Sequence, residues 1–259
     1  MKVVILAGGY GTRISEESQY KPKPMIEIGG KPILWHIMKY YASYGFSEFI
    51  ILAGYKQYVI KEFFADYFLH NSDITFNLAQ NKMKVHNNSS EDWEVTIVDT
   101  GLNTMTGGRV KRIQPFIQDE DFMLTYGDGL SNVDLDALQK FHSSHGKIAT
   151  ITMANIAQQK GVLDVKDDGE IKSFREKADS DGVLINGGFM ILKPAVFDYL
   201  EGDKTVLEQA PMRKLASEGQ LMGFEHNGFW QCMDTQREKQ KLEELWDSGN
   251  APWKIWGIK

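Results

Sequence analysis

The chain is short of cysteine, of net positive charge and of long apolar runs, and each shortage excludes something. One cysteine among 259 residues, Cys232, makes no internal disulfide and no cysteine-rich metal cage. It is read as a small buried hydrophobe. With 29 basic against 35 acidic residues the net charge is -6, which argues against sequence-independent binding to DNA or another polyanion. No apolar run approaches the ~20 residues that cross a bilayer. The N-terminus lacks the basic start, apolar core and small-residue cleavage site of a secretion signal, so the expected location is the cytoplasm. The six histidines (His36, His70, His86, His142, His145 and His226) show no paired metal-ligand spacing, and His142 with His145 is expected on the surface of a helix.

What is present is a globular composition, 42% hydrophobic and 25% charged, undivided by repeats, low-complexity tracts or linkers. Short apolar runs alternate with helical patterns. Strands are predicted over 2–7, 48–53, 121–128, 147–154 and 187–193. Helices are predicted over 31–45, with Pro32 near the start and Gly45 at the end, over 56–68 with Val59, Ile60, Phe63, Phe64, Tyr67 and Phe68 on one face, and over 133–146, 206–220 and 235–249. Residues 162–177 read as a hairpin around an Asp-Asp-Gly turn. The polar stretch 81–93 reads either as a mobile loop or as an oligomer contact. This alternation predicts an α/β chain with a mixed, mostly parallel sheet flanked by helices, Rossmann-like in type.

The strongest chemical signal is LAGGYGTR, Leu6 to Arg13, directly after the first strand. A dinucleotide fingerprint starting from Gly9 and Gly11 needs a third glycine where Ile14 stands, and a P-loop needs Gly-Lys-Ser/Thr, which is missing. What remains is Gly8, Gly9 and Gly11 at the end of a strand, able to turn successive backbone N–H groups into one anion-binding concavity. Arg13 and Lys23 add full charges, and Pro22 and Pro24 keep Lys23 in a non-helical segment. That set suits a nucleoside triphosphate better than a two-phosphate cofactor.

LAGGYGTR followed by KPKPMIEIGGKPILWHIM resembles the N-terminal signature of the sugar-phosphate nucleotidyltransferases. VDTGLNTMTGGRVKR (98–112), TYGDG (125–129), INGGFMIL (185–192), FWQCMDT (229–235) and APWKIW resemble the cytidylyltransferase branch that acts on glucose 1-phosphate, over roughly the full length. The resemblance implies the nucleotide-diphospho-sugar transferase fold as a single domain over 1–259, with 1–130 mainly binding nucleotide and 131–259 mainly sugar phosphate. It implies transfer of the cytidylyl group of CTP to glucose 1-phosphate, with Mg²⁺ as cofactor, a homo-oligomer, and a product that feeds deoxysugar and surface-polysaccharide synthesis. It assigns catalysis to Arg13, over the triphosphate, and Lys23, bridging the reacting phosphates, and nucleotide binding to Leu6, Ala7, Gly8, Gly9, Tyr10, Gly11, Thr12, Arg13, Lys23, Thr104, Arg109 and Gly127. Glu176, Lys177, Asn186 and Gly187 fall to the sugar phosphate.

Asp128 and Asp234 are the metal candidates, since a hard divalent ion takes a few carboxylate oxygens with phosphates and water. Asp128 also fits a turn aspartate and Asp234 a helix N-cap, although Thr235 with Glu238 makes the better capping box. Lys21 is the expected bystander. The chain departs from the family pattern at Gln159, Lys160 and Ala178, along the expected wall of the sugar pocket. Another nucleotide or sugar phosphate with the same chemistry, or a nucleotide-sugar binding protein without turnover, are the alternative readings.

Overall fold

A computed structural model describes residues 1–156, 162–165, 171–175 and 183–257. Five consecutive apolar residues make β1 (Val3–Ala7), buried along its whole length as a strand covered on both faces must be. The glycine turn follows, then α1 (Ser15–Ser18) and a short 3-10 turn over Lys23–Met25 after Pro22. The tiny ladder of β2 (Glu27–Ile28) and β3 (Lys31–Pro32), closed by Gly29 and Gly30 at positive φ, delivers the chain to α2 (Ile33–Ala42). Next come β4 (Glu48–Ala53), α3 (Gln57–Ala65), α4 (Tyr67–His70), the hairpin of β5 (Ser72–Asn77) and β6 (Lys82–Asn88), β7 (Glu94–Asp99) and α5 (Thr106–Arg112). Then follow β8 (Phe122–Tyr126), β9 (Gly129–Ser131), α6 (Leu135–His145), β10 (Ala149–Ile156), β11 (Val162–Val165), β12 (Ile171–Arg175) and β13 (Val183–Leu192). The last elements are α7 (Ala210–Ser217), β14 (Leu221–His226), β15 (Trp230–Cys232) and α8 (Gln236–Asp247).

The main sheet runs β14-β10-β13-β8-β1-β4-β7. β1 is parallel to both β4 and β8, β4 to β7 and β10 to β14, while β13 is antiparallel to β8 and β10. This is the mixed, mostly parallel sheet expected. Side chains that alternate along β1 feed two cores: Val3, Ile5 and Ala7 pack with Leu34, Ile37 and Met38 of α2, whereas Val4 and Leu6 pack with Val110 of α5 and Leu215 of α7. The chain leaves β1 toward β4 and returns to pair β8 on its other side. The carboxyl ends of β1 and β8 therefore open a crevice, the position where open α/β sheets bind ligands.

Several local expectations are corrected. The helix over 56–68 breaks at Asp66 into α3 and α4, and of its apolar face only Ile60 is fully buried. The polar stretch 81–93 is not a loop throughout: 82–88 is β6, paired with β5, only 89–93 is irregular, and a six-residue strand that sequence reading passed over, β7, begins at Glu94. His142 is buried rather than surface, with Nδ1 on Thr150 Oγ1 at 2.7 Å; His145 Nε2 reaches the same hydroxyl at 2.8 Å and is half-buried. A histidine in the helix register that faces the sheet reads as polar in sequence yet is accepted with Nδ1 on Thr150 and Nε2 3.4 Å from the Asp121 carboxylate. Cys232 is half-buried beside carboxylates, not in apolar surroundings. The 162–177 hairpin has its two strands, β11 and β12, and its turn lies outside the described residues.

Candidate active site

The crevice is a cleft of about 480 Å³ lined by Leu6 to Arg13, Lys23, Pro24, Leu102 to Thr106, Arg109 and Tyr126 to Asp128. Every nucleotide-side residue named from sequence lies on this wall. The floor is set by strand geometry. The Gly127 amide donates to Leu6 O at 2.9 Å, and a Cβ on Gly127 would sit 2.8 Å from that oxygen, so only glycine lets the ends of β1 and β8 approach so closely. Gly11 at φ +66° turns the loop into the Thr12–Ile14 helical turn. Among the described residues the amides of Gly9, Tyr10 and Gly11 donate to no other group, which leaves them for an anion. Tyr10 closes the rim, with its hydroxyl donating to Asn103 Oδ1 at 2.9 Å.

Lys23 is the centre of charge. Only 8% exposed, it donates to Asp128 Oδ2 at 2.6 Å and Asp234 Oδ1 at 2.5 Å. Burial alone would lower its ammonium, but the Asp128 and Asp234 carboxylates outweigh that and hold it above the usual lysine range. Asp234 shows the converse: burial works to raise its carboxyl, and Lys23 and Arg13 bring it below the usual carboxylate range. Arg13 Nη1 contacts Asp234 Oδ2 at 2.7 Å while its side chain stays largely in solvent, 73% exposed, so it can be drawn from that pair at little cost. Lys21 pairs with Glu27 at 2.9 Å, away from the cleft lining.

Two carboxylates that converge on one cation from opposite halves of the chain are the hard oxygen donors a magnesium ion takes, and in this respect the residues fit one. Cys232, Asp234 and Glu238 also bring ligand-type atoms within 4.8 Å of one another. Glu238, however, is spent on a helix cap: its Oε2 accepts the Asp234 and Thr235 amides at 2.7 and 2.8 Å, and Thr235 Oγ1 takes the Glu238 amide. The capping box read from sequence is therefore present, and it frees the Asp234 carboxylate for Lys23. Burial, with Asp234 and Glu238 nearby, pushes the Cys232 thiol up to about 12, so it is no nucleophile at neutral pH.

Arg109 carries a role that its sequence context did not suggest. It is 5% exposed and among the described residues meets no carboxylate; its Nη atoms donate to Thr100 Oγ1, Gly101 O, Gly8 O, Leu102 O and, at 3.4 Å, Ala53 O. One guanidinium thus ties the end of β1 to the ends of β4 and β7 behind the glycine loop. Burial and the neighbouring Arg112 lower it from the usual arginine range, and an unpaired buried cation beside the cleft adds to its attraction for anions. Thr104, 7% exposed, stands on the segment that Arg109 braces.

Asn186 and Gly187 lie on β13 beside Tyr126; Asn186 Nδ2 donates to the Tyr126 hydroxyl, and Gly187 O accepts Trp230 Nε1 at 2.7 Å. Glu176 and Lys177 lie outside the described residues, as do Gln159, Lys160 and Ala178. Sequence reasoning missed Asn103, Thr106 and Tyr126, which line the same cleft; Tyr126 stands inside TYGDG and was within reach of the motif.

A family model described as nucleotidyl transferase matches residues 2–232. Glucose-1-phosphate cytidylyltransferases of Salmonella typhimurium and Salmonella typhi are each 56% identical to this chain over 99% of its length and 100% of theirs. Among solved structures, HddC from Yersinia pseudotuberculosis superposes with a TM-score of 0.67 at 25% identity, covering 95% of this chain and 99% of that one. The fold, the cleft at the carboxyl ends of β1 and β8, and the full-length match agree, and the chain belongs to the nucleotidyl transferase family.

Proposed function

We propose that the chain transfers the cytidylyl group of CTP to glucose 1-phosphate, releasing pyrophosphate and forming CDP-glucose. Two observations support it together: the buried Lys23 ammonium held between Asp128 and Asp234 beside a glycine loop with unspent amides, and the 56% identity to curated glucose-1-phosphate cytidylyltransferases. The sugar phosphate is already an anion near neutral pH and needs no general base. The barrier lies in bringing two anions into line, so positioning and charge neutralisation carry the catalysis.

The glycine-loop amides hold the triphosphate, and Arg13, released from Asp234, lies over it. Lys23 bridges the attacking phosphate and the α-phosphoryl group. Asp128 and Asp234 hold Mg²⁺, which when bound supplies electrostatic stabilisation of the phosphates. Thr104 flanks the base, Arg109 keeps the wall behind it in place, and Asn186, Gly187, Glu176 and Lys177 hold the sugar phosphate. The first half of the chain, 1–130, serves mainly the nucleotide and 131–259 mainly the sugar phosphate. No helix among the described residues is long and apolar enough to cross a membrane.

Self-association belongs to the same reading. The β5/β6 hairpin sets Phe76 beside Met83, 58% and 52% exposed, with Leu78 at its tip, 88% exposed. A lone two-stranded hairpin is marginal in water, and a second copy would cover this apolar face; sedimentation as a monomer at all concentrations would refute it. The enzymatic reading is tested by pyrophosphate release with glucose 1-phosphate and each of CTP, UTP, dTTP, ATP and GTP, with and without Mg²⁺. Metal-dependent release with CTP alone is expected. Release with another nucleotide instead would overturn the base assignment, and no release from folded protein would favour a binding role.

A further inference from the structure

Glu208 belongs to no motif and stands outside the cleft lining, yet its carboxylate gathers both substrate sides. The Tyr126 hydroxyl donates to Oε1 and the Thr106 hydroxyl to Oε2, each at 2.6 Å. Thr106 opens α5, Tyr126 ends β8, and both line the cleft. Beyond Tyr126 stands Asn186 of β13, whose Nδ2 donates to the Tyr126 hydroxyl at 3.3 Å and whose Oδ1 accepts the Gly188 amide at 3.0 Å. Gly188, at φ +80°, lies so close to the Tyr126 ring that a Cβ there would come within 2.5 Å of it, which fixes the ring against β13.

The polarity of this chain of hydrogen bonds follows from donor inventory. The Gly188 N–H can only donate, so Asn186 must turn Oδ1 toward it and Nδ2 toward Tyr126. The Tyr126 oxygen then accepts from Asn186, and its single proton must go elsewhere. A carboxylate, an acceptor only, is the partner that takes it. With Glu208 absent, that proton loses its acceptor and the phenol no longer holds the Asn186 Nδ2 end in a fixed geometry, while the Gly188 amide still sets which end of Asn186 faces it.

We infer that Glu208 is a positioning residue for the sugar-phosphate side, acting through Tyr126 to hold the Asn186 amide in place, while its second oxygen holds the start of α5 on the nucleotide side. The inference rests on the reading of Asn186 as a sugar-phosphate contact. It is tested by steady-state kinetics on Glu208→Ala, Tyr126→Phe and the double variant. Each single variant should raise KM for glucose 1-phosphate about five- to tenfold with kcat changed less than about threefold, the loss expected from one fixed hydrogen bond. Tyr126→Phe should leave KM for CTP within about twofold, because the Glu208–Thr106 bond is intact.

The double variant decides whether Glu208 works through Tyr126. Adding Glu208→Ala to Tyr126→Phe should raise KM for glucose 1-phosphate by no more than about twofold further. A second increase as large as the first would overturn the inference and place Glu208 directly on the sugar, and an unchanged KM in Glu208→Ala would also overturn it. The coupling is also read without substrate. The fall in thermal midpoint of the double variant should be smaller than the sum of the two single falls, because both singles lose the same Tyr126–Glu208 bond, and losses that sum would refute the relay. Asn186→Ala separates the two claims: an unchanged KM for glucose 1-phosphate there removes the sugar contact, whatever the midpoints show.

Discussion

Arg109→Ala should destabilise the fold as well as disable the cleft, and by an amount the structure sets. The guanidinium serves Thr100 Oγ1 and the carbonyls of Gly101, Leu102, Gly8 and Ala53. Two of these keep another partner: Gly8 O accepts the Tyr55 amide, and Ala53 O accepts the Thr100 amide and hydroxyl. Gly101 O, Leu102 O and the Thr100 lone pair lose the partner, and Gly8 O loses one of two. At about 1 kcal/mol for each of these four groups the loss is about 4 kcal/mol. For a chain of this size that lowers the melting temperature by about 10 °C.

Lysine cannot reproduce the fork, so Arg109→Lys should recover only part of it. Gly8→Ala and Gly54→Ala should show the same signature from the opposite side, because a Cβ at either position would come within 2.2 and 2.5 Å of Arg109 Nη1. Calorimetry or thermal circular dichroism reads the shift, and pyrophosphate release the activity. An Arg109→Ala protein that melts with the parent but has a raised KM for CTP would refute the bracing role and leave Arg109 a substrate contact alone.

Four further outcomes follow from the same geometry. Lys23→Met should lower turnover by about a thousandfold or more with native circular dichroism, since it removes a charge placed where charge develops; turnover near the parent's would remove Lys23 from the mechanism. Asp128→Asn and Asp234→Asn should each raise the Mg²⁺ concentration that gives half-maximal rate, and a normal titration in either would take that residue out of the metal site. Substituting Cys232 with serine should leave activity within about threefold, because a thiol held protonated contributes no nucleophile; loss of burst or turnover specific to that variant would contradict it. His36 should make folding stability depend on pH.

The His36 dependence has a definite sign. Its Nε2–H donates to Ile28 O at 2.8 Å, and Nδ1 accepts the Trp253 indole N–H at 3.4 Å, a neutral ring with no room for a second proton. Burial lowers it from 6.5 to about 4. The unfolded chain therefore binds the proton first, and stability present above 6.5 falls as pH drops toward 4, by about 3 kcal/mol in all. Denaturation midpoints measured across that window in the parent and in His36→Gln check it, and identical pH slopes would refute it.

The fold was legible where burial is complete. β1, β4, β8 and α2 are apolar on every face that the sheet or the core requires, and their periods state their structure. β5, β6 and β7 were not legible, because a half-exposed strand such as SDITFN or KMKVHNN carries mixed polarity and no flanking turn signal strong enough to mark it. The antiparallel setting of β13 is likewise invisible in GGFMIL, whose composition suits either direction. Within the cleft, the glycine loop, Lys23 and the two aspartates could be found because phosphate and metal chemistry demand those residue types near each other. Arg109 was found for its charge and not for its bracing, since nothing local says that its acceptors are carbonyls up to 101 residues away. Glu208 could not be found at all: a surface glutamate gains meaning only when Tyr126 and Thr106 close on it.

The most direct test of the mechanism is the stereochemistry of transfer from a single diastereomer of CTP carrying sulfur on the α-phosphorus, with glucose 1-phosphate as acceptor. One in-line displacement, with Lys23 and the metal-binding carboxylates neutralising charge and no residue attacking phosphorus, predicts CDP-glucose with inverted configuration. Retention would reveal two displacements through a covalent enzyme intermediate and contradict the account.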